Sequence, residues 1–283
     1  MKKILITGTS GFLGGEFLSF ILKKNYQVFD LIRRKNKKKT TNYYPIYFKN
    51  EKDLKKKLNN KKFDTFINFS TFYVPNHNYN EISKIIEANI LFPNLVVDTI
   101  HKKIKKIIFF GSMMEYNNSS DYSPQNFYAA SKKAYNSFIT YYKNISNVKI
   151  FNIKLYETFS KNDKRKKIIP TILNKLKKNK KFILQYKDLK INAILSDDLN
   201  NFILKILKNK VKENTYILKN QKFISISKLL FNIKEKYPHF KYEKKNSLKN
   251  IKNKRKFFNC KIVNVKTDIS KKIMNYINEN NQN

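Results

Sequence analysis

The chain has 283 residues, a formal net charge of +40 and a hydrophobic content of 41%. That length and composition exclude a disordered chain and allow one large or two modest domains with a sizeable core. The single cysteine, Cys260, excludes an intrachain disulfide and fits a reducing cytoplasm.

No apolar run approaches the roughly 18 residues of a membrane span. The positive excess is nearly all lysine, spread along the chain; arginine occurs only at Arg33, Arg34, Arg165 and Arg255. No recognition helix, zinc spacing or aromatic-basic motif accompanies it, so the charge reads as solvated surface and not as specific nucleic-acid binding.

The first expected element is a buried parallel strand at 4–6, which stops at Gly8. Glycine recurs at Gly11 and Gly14, and Phe12, Leu13, Phe17, Leu18, Ile21 and Leu22 follow at helical spacing. The glycines therefore sit on a strand-to-helix turn. Gly8 permits the tight turn, Gly11 lets backbone approach a pyrophosphate, and Gly14 lets helix and strand pack closely. The helix N-terminus offers its N–H groups to the phosphates. The opening Met-Lys-Lys-Ile-Leu-Ile imitates a secretory signal, but its apolar run breaks at Thr7 and Gly8, which already belong to the turn.

A second strand at 28–32 ends on Ile32 and is followed by Arg33, Arg34 and Lys35. An acid at that tip would bind a ribose 2′-hydroxyl, whereas arginine suits a 2′-phosphate. Asp30 lies two residues short of the tip. NADP(H) is thus the expected cofactor, with NAD(H) the alternative. Strands at 45–48 and 65–69 flank a lysine-rich helix at 51–62. A long amphipathic helix is expected at 83–102. The strand at 106–110 delivers Gly111 and Ser112 to its carboxyl end, where open α/β sheets place ligands. A helix at 126–144 carries Tyr128, Lys132 and Tyr135, and a strand at 148–155 follows. The alternation is that of an α/β fold, a doubly wound parallel sheet of the Rossmann kind.

After Leu155 the pattern loosens. A basic loop at 160–167 leads to a helix at 168–176 entered through Pro170. Short apolar runs lie at 182–184 and 191–195, and Asp197 and Asp198 open another helix. A run at 216–218, a helix from Ser227 and a last helix from Ser270 follow. Residues 244–256 read as a linker or a basic loop. The expected division is a nucleotide-binding domain at 1–158, with 188–208 returning to it, and a smaller α/β substrate-binding portion at 159–283.

Tyr128 and Lys132, four apart on one helix, share a face. An ammonium one turn from a tyrosine, whose ordinary pKa is about 10, favours the phenolate. Such a tyrosine can exchange a proton with a sugar carbonyl or hydroxyl, with Ser112 holding the same oxygen and the nicotinamide carrying hydride.

These motifs together resemble the extended short-chain dehydrogenase/reductases, in the nucleotide-sugar epimerase/dehydratase branch. The residues that carry the resemblance are Thr7-Gly8-Thr9-Ser10-Gly11-Phe12-Leu13-Gly14, Asn89, Gly111-Ser112, Tyr128-Ala129-Ala130-Ser131-Lys132, Ile168-Ile169-Pro170 and Ser196-Asp197-Asp198-Leu199. The resemblance implies catalytic roles for Ser112, Tyr128, Lys132 and Asn89. It implies cofactor contacts at Gly8, Ser10, Gly11, Phe12, Leu13, Gly14, Arg33, Arg34, Phe69, Ser70, Tyr128 and Lys132. Substrate contacts are implied at Thr71, Ser112, Met113, Asn152 and Ile169, with no metal. It further implies an NDP-sugar, CDP- or dTDP-linked, held between the two portions, as used in surface-polysaccharide synthesis. A homodimer through the helices at 83–102 and 126–144 is implied too, in which Ile85, Val96 and Phe138 either serve the interface or are all buried within one subunit.

Three departures narrow the expectation. Dehydratases of this family place an acidic pair after the catalytic hydroxyl residue, where this chain has Met113 and Met114. Methionine neither protonates a leaving hydroxyl nor abstracts a proton. Ile191 stands where an arginine often grips the diphosphate, and Phe48-Lys49-Asn50 replaces the usual acid after the third strand. The segment 122–132 and Lys154-Leu155-Tyr156-Glu157-Thr158 look most like 4-keto-sugar reductases of the CDP-abequose and CDP-paratose synthase type. The leading expectation is NADPH-dependent reduction of an NDP-4-keto-6-deoxysugar at C4. The alternatives are an NAD-dependent 4-epimerase, disfavoured by Arg33 and Arg34, and a non-catalytic NADP sensor, disfavoured by the intact Ser112, Tyr128 and Lys132.

Overall fold

The computed structural model describes residues 1–34, 38–116, 121–161, 163–186, 189–245 and 260–281. In chain order it has β1 (Lys2–Thr7), α1 (Phe12–Ile21), β2 (Tyr26–Ile32), β3 (Tyr43–Tyr47), α2 (Glu51–Asn59), β4 (Thr65–Asn68), α3 (Tyr79–Ile86), α4 (Phe92–Ile100), β5 (Lys106–Ser112), α5 (Phe127–Ile145) and β6 (Lys149–Leu155). There follow β7 (Glu157–Phe159), α6 (Ile168–Lys177), β8 (Phe182–Leu184), β9 (Lys190–Ile191), β10 (Ala193–Leu195), α7 (Ser196–Leu207) and β11 (Asn214–Asn220). The last are β12 (Ile224–Ser225), α8 (Ile226–Lys236), β13 (Tyr242–Lys244), β14 (Lys261–Val265) and α9 (Ile269–Asn281). The stretch 244–256, read as linker-like, lies outside the described residues from 246 onwards.

Eight strands form one sheet in the order β14-β11-β6-β5-β4-β1-β2-β3. From β3 to β6 every pairing is parallel. The strand order reverses between β1 and β4, the place where such sheets open a crevice for a ligand. Thr7 and Asn68 end these two strands, and Thr7 Oγ1 donates to Asn68 Oδ1 at 2.7 Å. All residues of β4 and β5 are buried, as strands covered on both faces must be, and this is why their middles are apolar, Phe66-Ile67 in β4 and Ile107-Ile108-Phe109-Phe110 in β5.

On one face Leu5, Phe66, Ile107 and Phe109 pack with Leu54 and Leu58 of α2, Val96 and Ile100 of α4, and Ile139 of α5. Helix α2 shows how little apolar area such an element needs. It is mostly lysine, yet Leu54 and Leu58, one turn apart, are buried, and each contributes about 1.5–3 kcal/mol. Asn50 caps it by accepting the Asp53 N–H at 3.0 Å. Acids in the first turn and lysines in the last complement the helix dipole.

The helix expected at 83–102 begins earlier, at Tyr79, and is not uniform. Between α3 and α4 the turn Glu87–Leu91 is a π-helix. Pro93 explains it: proline has no N–H to give the carbonyl four residues back, at Asn89, and its ring would strike that carbonyl. One extra residue in the turn relieves both conflicts, and such turns recur at functional sites.

The chain divides into two compact units. The first comprises Met1–Leu155 and the returning stretch Asn200–Ile217; the second is built from Tyr156–Leu199 and most of the chain after Ile217. The second unit has small sheets, β7 with β10 and β8 with β13 in parallel and β9 with β12 antiparallel. Its core gathers Phe159, Ile172, Leu230, Phe240 and Ile273. Among the described residues no helix is long and apolar enough to cross a membrane.

Candidate active site

The glycine turn follows β1. Gly8 has φ +77°, and a Cβ there would stand 2.4 Å from the Ser70 backbone nitrogen. A Cβ on Gly14 would stand 2.2 Å from the Gly8 carbonyl oxygen. Both glycines are therefore required by the protein's own packing. Gly11 differs: its added Cβ would meet only the Gly8 oxygen, at 3.3 Å. It is the N-cap of α1, and no side chain caps that end. The space left beside Gly11 is a cradle that an added side chain would begin to fill, which suits a pyrophosphate at a helix N-terminus. Ser10 is exposed, and Phe12 and Leu13 are half-buried on the first turn of the helix.

Asp30, too early in β2 to reach a ribose, has a different task. It is fully buried. Its Oδ2 accepts from Thr9 Oγ1 and from the Tyr43 hydroxyl, both at 2.7 Å. Burial, aided by this carboxylate, pushes the Tyr43 hydroxyl far above its ordinary range, so it remains a donor. Asp30 thus ties the glycine turn to β2 and β3 from beneath.

At the end of β2, Arg33 Nη2 lies 2.7 Å from Glu87 Oε1, and the guanidinium sits 5.4 Å from the Phe92 ring centroid. These three line a cleft of about 220 Å³ with Phe48, Asn50 and Leu54. Arg34 is exposed. Phe69 stacks on Phe110 with centroids 4.5 Å apart, and Ser70 Oγ donates to Asn68 Oδ1 at 2.6 Å.

Ser112 ends β5 and caps the short turn Met113–Glu115. Its Oγ accepts the Met114 N–H at 3.1 Å, while its own N–H donates to Glu115 Oε1 at 2.8 Å. Helix α5 packs on β5 and on this turn. Asn126 caps α5 by accepting the Ala129 N–H at 2.9 Å, and the helix presents Tyr128 and Lys132. Lys132 is only 7% exposed, with Nζ 5.5 Å from the Tyr128 ring centroid. Burial pulls its pKa down to about 8, against an opposing pull from Glu115. Tyr73 meets the Tyr128 ring edge-on at 4.8 Å.

Asn89, in the π turn, joins the loop after β4 to α5. Its Oδ1 accepts from Phe72 N at 2.7 Å and Thr71 Oγ1 at 3.1 Å. Its Nδ2 donates to the Phe72 carbonyl at 3.1 Å and to Ser131 Oγ at 2.9 Å. Ser131 in turn donates to the Tyr128 carbonyl at 2.7 Å. Thr71 is thereby held by Asn89.

Two expected substrate contacts find other tasks. Asn152 is 3% exposed and donates to Asn136 Oδ1 at 3.0 Å. Ile169 is 2% exposed and belongs to the core of the second unit. Both side chains are buried within the described structure, and Asn152 Oδ1 has no hydrogen-bond partner there. Met113 is buried as well. The sequence reading missed Asp30, Ser131, Glu115 and Lys154. Glu115 had a visible signal, since Ser112-x-x-Glu115 is capping-box spacing. Lys154 had one too, as a lysine inside the apolar run of a central strand. Among the described residues no group of three His, Cys, Asp or Glu could hold a metal.

The profile of the NAD dependent epimerase/dehydratase family matches residues 4–218. The chain belongs to the NAD-dependent epimerase/dehydratase family. As a member of this family it is an NAD(P)-dependent enzyme of the short-chain dehydrogenase/reductase type. A CDP-abequose synthase of Salmonella muenchen is 28% identical over 214 residues, covering 73% of this chain and 70% of that protein. One from Yersinia pseudotuberculosis is 24% identical over 208 residues, covering 72% and 73%. A UDP-glucuronic acid 4-epimerase from Bacillus cereus, solved with UDP-glucuronic acid and NAD, shares the fold of this family member. Its TM-score is 0.79 at 13% identity, over 98% of this chain and 99% of the other.

Proposed function

We propose that this enzyme reduces the C4 carbonyl of a CDP- or dTDP-linked 4-keto-6-deoxysugar, with NADPH as its preferred reductant. The environment of Ser112 carries the reading. Reduction of a carbonyl needs a hydrogen-bond donor for its oxygen, a proton donor and a hydride. Dehydration would need a further acid and base at the sugar. Met113 and Met114 offer neither, and the next residue, Glu115, is buried with its carboxylate on the Ser112 amide and on Lys154. The similarity to CDP-abequose synthases supports the same substrate class.

In this reading Gly8, Ser10, Gly11, Phe12, Leu13 and Gly14 hold the pyrophosphate, and Arg33 and Arg34 meet the 2′-phosphate. The bound dinucleotide supplies the hydride. The Ser112 hydroxyl donates to the carbonyl oxygen as negative charge develops there. Tyr128 gives that oxygen its phenolic proton, and Lys132 stabilises the phenolate that remains. Asn89 keeps Ser131 and the Thr71 loop in place beside them. A second copy of the chain covers the outer face of α5, making a homodimer.

The test is stoichiometric. Purified enzyme given NADPH and a panel of CDP- and dTDP-4-keto-6-deoxysugars should oxidise one NADPH per hydroxyl formed. Product without net NADPH loss would replace this reading with a 4-epimerase. Tyr128→Phe should lower turnover by about a hundred- to ten-thousandfold, the range of general acid catalysis, and leave cofactor binding intact. Ser112→Ala should lose one donor to developing charge, worth about 3–4 kcal/mol at most.

A further inference from the structure

Behind Ser112 lies a buried ion pair that the reaction above does not use. Glu115 Oε1 accepts the Ser112 N–H at 2.8 Å. Its other oxygen pairs with Lys154 Nζ from β6, and the two side chains are 1% and 5% exposed. Two charges have been withdrawn from water, where apolar side chains of similar volume would often fill the space at no loss of stability. Closing a short turn requires Glu115 but not a lysine 39 residues further along the chain. The pair also presses on the backbone that carries the serine. A Cβ on Gly111 would stand 2.8 Å from Glu115 Oε1 and 3.0 Å from Lys154 Cγ.

The groups facing this pair come from several elements. The Tyr116 ring lies 4.9 Å from Lys154 Nζ. Burial and Glu115 push the Tyr116 hydroxyl up to about 12 and also raise Tyr122. Burial raises the Cys260 thiol, which feels Lys154, Glu115 and Lys133. The tyrosines and the thiol therefore stay neutral near pH 7, and Glu115 and Lys154 are the charges beside the serine turn. Lys132 on α5 feels the same carboxylate: burial opposes its ammonium, and Glu115 favours it.

We propose that Glu115, anchored by Lys154, is a positioning residue of the reducing site: it fixes the Ser112 turn from behind and places a carboxylate on the turn against which α5, the helix that carries Tyr128 and Lys132, packs. The inference rests on the reading of Ser112, Tyr128 and Lys132 as the catalytic groups.

Glu115→Gln keeps an acceptor for the Ser112 amide and removes the charge. Its kcat/KM is followed from pH 6 upward with NADPH and the ketosugar that the panel selects. Its alkaline limb should move down by about one pH unit, the tenfold loss expected when a favourable charge is removed. The midpoint of Lys132, followed by NMR in protein labelled with 13C-lysine and assigned with Lys132→Met, should fall in parallel. Should Glu115→Gln not fold, the double variant Glu115→Leu/Lys154→Met leaves no charge unpaired and is expected to shift in the same sense. An unchanged limb and an unchanged Lys132 midpoint would overturn the inference and leave Glu115 as a cap. Wild-type turnover in Ser112→Ala and Tyr128→Phe would instead overturn the reading of the site. The Lys132 titration needs no substrate and would still decide the inference.

Discussion

Lys132 carries an ammonium into a site where 7% of the residue is exposed, and the fold bears that burden in order to have a cation beside Tyr128. Its pKa falls from 10.5 to about 8. The unfolded chain therefore holds this proton more tightly, and stability rises as pH climbs from 8 toward 10.5, the burden being fully present below 8. Lys132→Met should abolish turnover and stabilise the protein by about 3 kcal/mol at pH 7, with the gain gone above pH 10.5. Urea melts at pH 7 and pH 10.5 measure it; a variant no more stable than wild type at pH 7 would refute the account. At the other end of the proposed cofactor site, Arg33 and Glu87 are 58% and 52% exposed, so their ion pair is worth about 1 kcal/mol or less. Glu87→Gln frees Arg33 for a 2′-phosphate and should tighten NADPH up to about fivefold with little change for NADH. Arg33→Ala should do the reverse. Fluorescence titrations at one fixed salt concentration decide it, because salt screens such exposed charges. Ser112, Tyr128 and Lys132 stand out in the sequence because the roles proposed for them rest on local spacing. Asp30 and Lys154 show in the sequence only as charged residues inside strands; their partners lie 21 and 39 residues away, and local spacing does not identify them.

At the scale of elements, β1 to β6 could be read because central parallel strands are apolar on both faces and short. The short strands of the second unit, two to three residues in most cases, gave only apolar runs without pairing. The region 79–103 shows a different limit: apolar periodicity persists through the π turn, so the sequence reads as one helix, and only Pro93 hints at the change. That turn matters because it positions Asn89. Asn89→Ala would strand the Phe72 N–H and carbonyl, and unsatisfied buried groups cost about 1–3 kcal/mol. Denaturant unfolding should show that loss, along with faster hydrogen exchange at Phe72. Unchanged stability would mean that water replaces the amide without penalty.

At the scale of the whole molecule, the expectation that Ile85 and Val96 could serve a dimer is corrected, since both are fully buried within one subunit. Phe138 is exposed, and so are Tyr141 and Ile145 on the same α5 face. Phe138→Asp should convert the proposed dimer to monomer in sedimentation at micromolar concentration, with the melting temperature little changed; a wild-type protein that is already monomeric there removes the proposal. The chain leaves the first unit after Leu155 and re-enters it at Asn200, where Lys106 Nζ bonds the Ile206 carbonyl at 3.0 Å and Lys2 Nζ the Leu207 carbonyl at 3.3 Å. A ribosome that has made the six parallel strands has not yet made their last covering helix. Both units are encoded in separate stretches interleaved along the chain, so no single exchange of coding sequence replaces the second unit and leaves the first intact.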